Sequence, residues 1–247
     1  MTARIRSIDY AHDDTELEGE FAWDDAWQEP RPVVIVVHDA MKSNQGFEEE
    51  RAVTLAAMGY AGFAIDVYGK GIHGSDGEEA YALMEPFTRD RLFLQQRLLA
   101  GLHAAAAQPE ADGERMAAIG YCFGGLCVLD LARMNAPVRG VASFHGNLAA
   151  PDWSQGEAPT EPIRPRVLAM HGWDDPYAPP SVLEPFAQEM SERQADWQLH
   201  AYGNTVHSFT NPRYTDRSLG TAYDEKAERR SWRALTNFLE ELFSDAG

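Results

Sequence analysis

Cys122 stands in the run Gly120-Tyr121-Cys122-Phe123-Gly124-Gly125, after the apolar stretch Ala117-Ala118-Ile119 and before a helical pattern over 126–134. A strand, a sharp turn and a helix with the form Gly-x-Nuc-x-Gly present a nucleophile at the turn. The turn is strained, and the strain throws the side chain outward. Gly120 and Gly124 leave room where strand and helix pass closest. A sulfur at a helix N-terminus meets unpaired N–H groups and the positive end of the dipole, which favour a thiolate. The same run would also suit an inert buried cysteine in a glycine-rich turn. Chemistry at Cys122 therefore requires an acid and a histidine at the ends of other strands.

The acid comes from the loop after Val167-Leu168-Ala169-Met170, which reads His171-Gly172-Trp173-Asp174-Asp175-Pro176-Tyr177-Ala178-Pro179. Its register, with Gly172 three residues before and Pro179 four after, selects Asp175 over Asp174. The histidine comes from Gly203-Asn204-Thr205-Val206-His207-Ser208-Phe209. Of the 8 histidines, only His207 stands on a strand-end loop after the acid turn. His171 opens that turn, His200 lies within a strand, and His145 precedes Asp175. The chain order nucleophile, acid, histidine is one of the three known orders for such a triad. His207 would take the sulfur proton, or hold a thiolate–imidazolium pair, and later activate water. Asp175 would fix its tautomer. The N–H groups of Phe123 and Ala40 are the expected oxyanion hole.

The elements that must position these residues read as follows. Residues 3–23 form a β-hairpin around Asp13-Asp14. The β-branched run Pro32-Val33-Val34-Ile35-Val36-Val37-His38 suits a strand buried on both faces. A helix over 47–58 ends at Gly59, a left-handed C′ position. Strands are expected over 62–67, 116–120, 138–144, 167–171 and 197–202. A short helix over 78–83 precedes a long one over 86–107, with Pro86 in its first turn and Leu92, Leu98, Leu99 and Leu102 on its stripe. Asp112-Gly113 is a turn into the next strand. A loop with three prolines follows the strand over 138–144. A helix over 183–192 and a last helix over 223–243 complete the chain, the latter burying Trp232, Leu235, Phe238, Leu239 and Leu242. Strands alternating with helices after a hairpin predict a single α/β domain over 1–247. Its sheet is mostly parallel and open, with helices on both faces and an N-terminal antiparallel hairpin. Ligands then bind at the carboxyl ends of the strands.

The formal charge of -18 argues against nucleic acid and anionic membrane surfaces as partners. No apolar run approaches the ~20 residues of a bilayer span. The N-terminus lacks the apolar core of a secretory signal. The 2 cysteines, Cys122 and Cys127, project in different directions from one turn and helix, so a disulfide between them is not expected. A reducing, cytoplasmic setting follows, with Cys127 as a core residue. No metal-ligand spacing, P-loop or dinucleotide fingerprint occurs, so no cofactor and no metal are expected.

The elbow, the stretch 171–179 and His207-Ser208-Phe209 together resemble the dienelactone hydrolase family of α/β-hydrolases, across nearly the whole chain. A Cys elbow is the most specific part of that resemblance, because most of the superfamily uses serine. The resemblance implies that Asp39 stands where the family has a glutamate that takes part in activating the thiol, one methylene shorter here. It also implies an arginine for a substrate carboxylate. Arg213 lies near His207, and Arg89 and Arg91 lie near the start of the long helix. The pocket walls are expected from 68–77, 84–91, 146–162 and 210–223. The expected activity is hydrolysis of a small ester or lactone through an acyl-thioenzyme. A thioester or activated amide is the alternative within the same chemistry. A non-catalytic or redox-sensing protein on this scaffold is the alternative of another class.

Overall fold

A computed structural model describes residues 3–42, 46–152 and 159–244. Residues 153–158, part of the expected pocket wall over 146–162, and residues 43–45 lie outside the described residues. The hairpin is present as β1 (Ala3–His12) and β2 (Thr15–Asp24), paired antiparallel with Asp13 at φ 51 in the turn. Then come β3 (Arg31–Val37), α1 (Phe47–Ala57), β4 (Ala61–Ile65), α2 (Gly77–Arg89) and α3 (Arg91–Ala106). The chain continues with β5 (Ala111–Tyr121), α4 (Phe123–Arg133), β6 (Gly140–Phe144) and β7 (Arg166–Gly172). It closes with α5 (Leu183–Glu192), β8 (Trp197–Tyr202) and α6 (Glu225–Ser244).

The strands form one 8-stranded sheet in the order β1-β2-β4-β3-β5-β6-β7-β8. β2 joins β4 antiparallel, and every pair from β4 to β8 is parallel. This is the α/β-hydrolase architecture. The β-branched run explains the centre of the sheet: Val33, Val34, Ile35, Val36 and Val37 are each 0% exposed. Val33, Ile35 and Val37 face the core made with α3, α4 and α5, while Val34 and Val36 face α1 and α6. Each fully buried side chain of this size contributes roughly 1.5–3 kcal/mol. After β3 the chain moves to β4 on one side, then returns across to β5 on the other. The carboxyl ends of β3 and β5 therefore meet at a topological switch point, where open α/β sheets hold their ligands. Among the described residues, no helix is long and apolar enough to cross a membrane.

Three local expectations are corrected. The long helix over 86–107 is two helices. Pro86 lies inside α2, and the break falls at Asp90, whose φ of -114 and ψ of 87 are not helical. Asp90 caps α3, its side chain accepting the Phe93 N–H at 2.9 Å. The change of axis takes Leu92 off the buried stripe, and it is 69% exposed, while Leu98 and Leu102 are fully buried. Second, Asp112-Gly113 is a bulge within β5. The register against β3 jumps from Pro32–Asp112 to Val33–Met116, and Asp112 holds the slack by accepting the Glu114 N–H and binding Arg115. Third, Trp232 is only partly buried, whereas the other four residues of the α6 stripe are in the core. An Asp90→Ala variant loses the cap and about 1 kcal/mol of stability. Its thermal midpoint, followed by circular dichroism, is expected to fall by about 2–4 °C.

Candidate active site

Backbone packing fixes the turn after β5. A Cβ on Gly120 would stand 2.0 Å from the Gly124 carbonyl oxygen, and one on Gly124 would stand 2.2 Å from the Val37 carbonyl oxygen. Both glycines are therefore required by close approach, as their spacing suggested. Between them Cys122 takes φ 53 and ψ -110, a conformation that costs a non-glycine residue about 1–3 kcal/mol. Its N–H is held by the Phe144 carbonyl at 3.0 Å and by His145 Nδ1 at 3.2 Å. The sulfur is partly exposed at the head of α4. Phe123 is the first residue of that helix, so its N–H has no partner within the helix. Cys127, one turn on, is a free thiol sunk in the core, and burial pushes its pKa well up.

β7 and β8 bring the acid and the histidine. Asp175 is buried, and its Oδ1 accepts the N–H groups of Tyr177 at 2.9 Å and Ala178 at 3.3 Å. That turn leaves Oδ2 free to accept the His207 Nδ1–H at 2.7 Å. Asp174 lies on the surface beside Arg217, 3.1 Å away. His207 is buried and anchored by its backbone to Gly220 and Ala222. Cys122 lies close enough to favour the charged form of the His207 ring. The three side chains thus gather at one place, with Asp175 bonded to His207 and Cys122 beside them. Burial, the largest influence on His207, opposes its charge. Cys122 and Asp175 together outweigh burial and push the imidazole up to about 10. Such an arrangement can supply a sulfur nucleophile, a base for its proton and an acid for a leaving group.

Asp39 follows β3 and faces the same space. Its Oδ1 accepts from the N–H groups of Met41 and Lys42, and its Oδ2 accepts from the Tyr214 hydroxyl at 3.0 Å. Its own N–H donates to Glu48 Oε1 at 3.3 Å. Burial raises the pKa of both carboxyls, Glu48 to about 8, where the neighbouring Asp39 charge adds to the rise. His145, buried and with φ 40, links the elbow to Thr210, with Nε2 2.8 Å from Thr210 Oγ1. Its ring stands edge-on to His207, with centroids 5.0 Å apart. Tyr177 borders the opposite edge of this cluster, 5.0 Å from the His207 ring, and its hydroxyl donates to the Leu219 carbonyl.

The arginines are not gathered with these residues. Arg89 is on the surface, paired with Glu85 at 3.0 Å. Arg91 grips Asp130 through two nitrogens, and Asp130 lies eight residues along α4 from Cys122, roughly 12 Å at the helical rise. Arg213 lines a cavity of about 450 Å³ with Arg51, Thr210 and Glu228.

A model of the dienelactone hydrolase family matches residues 20–243. The chain belongs to the dienelactone hydrolase family. Among solved structures it is similar to a dienelactone hydrolase-like promiscuous phosphotriesterase from metagenomic libraries. That relative shares 37% identity at a TM-score of 0.91, over 98% of this chain and 99% of the other. An uncharacterized Caenorhabditis elegans protein is 36% identical over 61% of this chain and 95% of its own. A Synechocystis protein provisionally named carboxymethylenebutenolidase is 26% identical over 85% of each. The protein is thus a dienelactone hydrolase-like hydrolase.

Sequence reasoning missed Glu48, Tyr214 and the role of His145. Glu48 stands with Glu49 and Glu50 in the first turn of α1, where acidic residues commonly answer the helix dipole. Tyr214 is 175 residues from its partner Asp39. His145 did carry a signal, its place at the end of β6.

Glu48 makes a testable link to pH. Its folded value, about 8, lies above its ordinary 4.5, so between these the folded protein holds a proton that the unfolded chain releases. Stability then falls as pH rises through that window. Glu48→Gln keeps an acceptor for the Asp39 N–H and removes the titration. Its thermal midpoint should match the parent's near the lower limit and exceed it by a growing margin toward the upper one. Parallel pH profiles for the two proteins would contradict this.

Proposed function

We propose that this family member hydrolyses a small ester or lactone through an acyl-thioenzyme on Cys122. The observation that supports the reading is the buried Asp175–His207 hydrogen bond beside the strained Cys122, drawn from the ends of β7, β8 and β5. The sulfur attacks the acyl carbon, and the carbonyl electron pair moves onto oxygen. That oxygen is received by the N–H groups of Phe123 and Ala40. His207 protonates the departing alkoxide as the C–O bond breaks, and in a lactone the alcohol stays attached to the acyl group. His207 then removes a proton from water, the hydroxide attacks the thioester, and the acid leaves as the sulfur is released. Asp175 keeps the imidazole in one tautomer and balances its charge. Asp39 is the proposed activating carboxyl, held by Tyr214 until substrate enters. Thioesters and activated amides pass through the same steps. Two free thiols fit a cytoplasmic setting.

The substrate carboxylate is not assigned to Arg89 or Arg91, which are committed to Glu85 and Asp130. Arg213 borders the neighbouring cavity and keeps its place as a proposed contact. The likeness to a promiscuous phosphotriesterase favours a second reading of the same site, attack of Cys122 at the phosphorus of an aryl phosphotriester.

p-Nitrophenyl acetate and a panel of small lactones provide the assay, with paraoxon for the second reading. Cys122→Ala is expected to abolish turnover, and Cys122→Ser to lower kcat by about 100-fold or more, since the neighbours are set for a thiol. Rapid quenching followed by mass spectrometry should find one acetyl group on Cys122. Turnover by Cys122→Ala at the parent's rate would remove the reading.

A further inference from the structure

His38 ends the β3 run, is 2% exposed, and takes no part in the steps above. Its Nε2 accepts the Val67 N–H at 3.2 Å. A ring nitrogen that accepts carries no proton, so the neutral imidazole has its hydrogen on Nδ1. Nδ1 donates to the Asp39 carbonyl oxygen at 2.7 Å. The ring is kept neutral by burial first and by the Lys42 ammonium second, which push it down to about 4.

The consequence lies in the next peptide plane. In a trans peptide the C=O and the following N–H point in opposite directions, and the described chain has no cis peptide. Holding the Asp39 carbonyl toward His38 therefore aims the Ala40 N–H away from it. The other side of Ala40 is fixed as well, because the Tyr68 hydroxyl donates to the Ala40 carbonyl at 3.0 Å. Tyr68 stacks on Phe123 at 5.7 Å and meets the His38 ring edge-on at 4.7 Å. The His38 and Phe123 rings lie 6.1 Å apart. One packed unit thus joins the peptide before Ala40 to the first residue of α4. The Val37 and His38 carbonyls lie against Gly124 in the same contact.

We propose that His38 is a positioning residue for acyl transfer: its Nδ1–H bond to the Asp39 carbonyl sets the peptide whose N–H, at Ala40, receives the substrate oxyanion. The inference rests on the acyl-thioenzyme reading above. It assigns His38 no contact with substrate. Its effect should appear where charge develops on the acyl oxygen, in kcat, and leave ground-state binding unchanged.

Three variants separate this role from simple packing. Asn at 38 places an amide nitrogen near the position of Nδ1 and can still donate to the Asp39 carbonyl. Gln reaches the level of Nε2 and can accept the Val67 N–H, but loses the Asp39 bond. Leu loses both. Each is measured for kcat, KM and affinity for a trifluoromethyl ketone. Cys122 adds to that ketone to form a C–S bond, and the carbonyl electron pair becomes an alkoxide in the oxyanion position. His38→Leu and His38→Gln are expected to lose about 10- to 100-fold in kcat, less than or equal to the loss of a whole oxyanion donor. KM should stay within about twofold, and ketone affinity should fall by the same factor as kcat. His38→Asn should recover at least about tenfold of the kcat lost in His38→Leu. Thermal unfolding establishes that each variant is folded.

Parental kcat in folded His38→Leu would overturn the proposal. So would a loss confined to KM, or Asn as slow as Leu beside a fully active Gln. If Cys122→Ala keeps its turnover, the acyl-thioenzyme reading itself falls. If Cys122→Ala is inactive while all three His38 variants match the parent, only the role of His38 falls.

Discussion

The site depends on backbone touching backbone where α4 begins. The Gly124 position lies so close to the Val37 carbonyl that even one methyl group would overlap it. That contact locks the head of α4 against the end of β3, and it holds Cys122 at φ 53 although no glycine sits there. A strained residue persists only where its surroundings over-determine it. Here they do so from both sides. Gly120 and Gly124 bring strand and helix together, and β6 supplies two acceptors for the Cys122 N–H, the Phe144 carbonyl and the His145 ring. The switch point in the sheet then does the rest. Because β3 and β5 are neighbours whose chains leave in opposite directions, the residues 38–40 and Cys122 come to one crevice with no long loop between them.

Electrostatics follow from the same crowding. Burial drives most titratable groups near Cys122 toward neutrality: His38, His145 and His171 are pushed down, and Asp39 and Glu48 are pushed up. His207 goes the other way, because the sulfur and Asp175 both reward its positive charge. A second cation beside it would raise the electrostatic cost of that charge, and the neutral state of His145, edge-on to the same ring, avoids this. The neutral histidines can also accept hydrogen bonds, which imidazolium cannot do. His145 accepts from the Cys122 N–H and His38 accepts from the Val67 N–H. Charge is thus concentrated on one pair and structure is held by uncharged rings.

Much of this was legible in the chain itself. The order of Cys122, Asp175 and His207, each at a strand end, carries the fold class, and the structure places Asp175 against His207. Gly172 and Pro179 mark the turn, in which Asp175 is buried against His207 while Asp174 stays at the surface. The failures have a common cause. Pro86 reads as a helix start, yet tertiary packing keeps it inside α2 and lets Asp90 make the break. Asp112-Gly113 reads as a turn, yet the pairing of β3 with β5 absorbs it as a bulge. Arg91 reads as a pocket residue by its position, yet Asp130, on another helix, claims it. In each case a partner distant in sequence decides, and local spacing does not record that partner.

Asp39 is best understood with its neighbours. Its short side chain is restrained by two backbone N–H groups and by Tyr214. Glu48, on α1, sits behind it with the longer side chain and binds the Asp39 N–H. Two buried carboxyls this close do not readily carry two charges. A proton held on either of them lowers the negative charge that stands near His207. The aspartate at 39 and the glutamate at 48 therefore read as one unit, in which burial holds down the charge that either could carry.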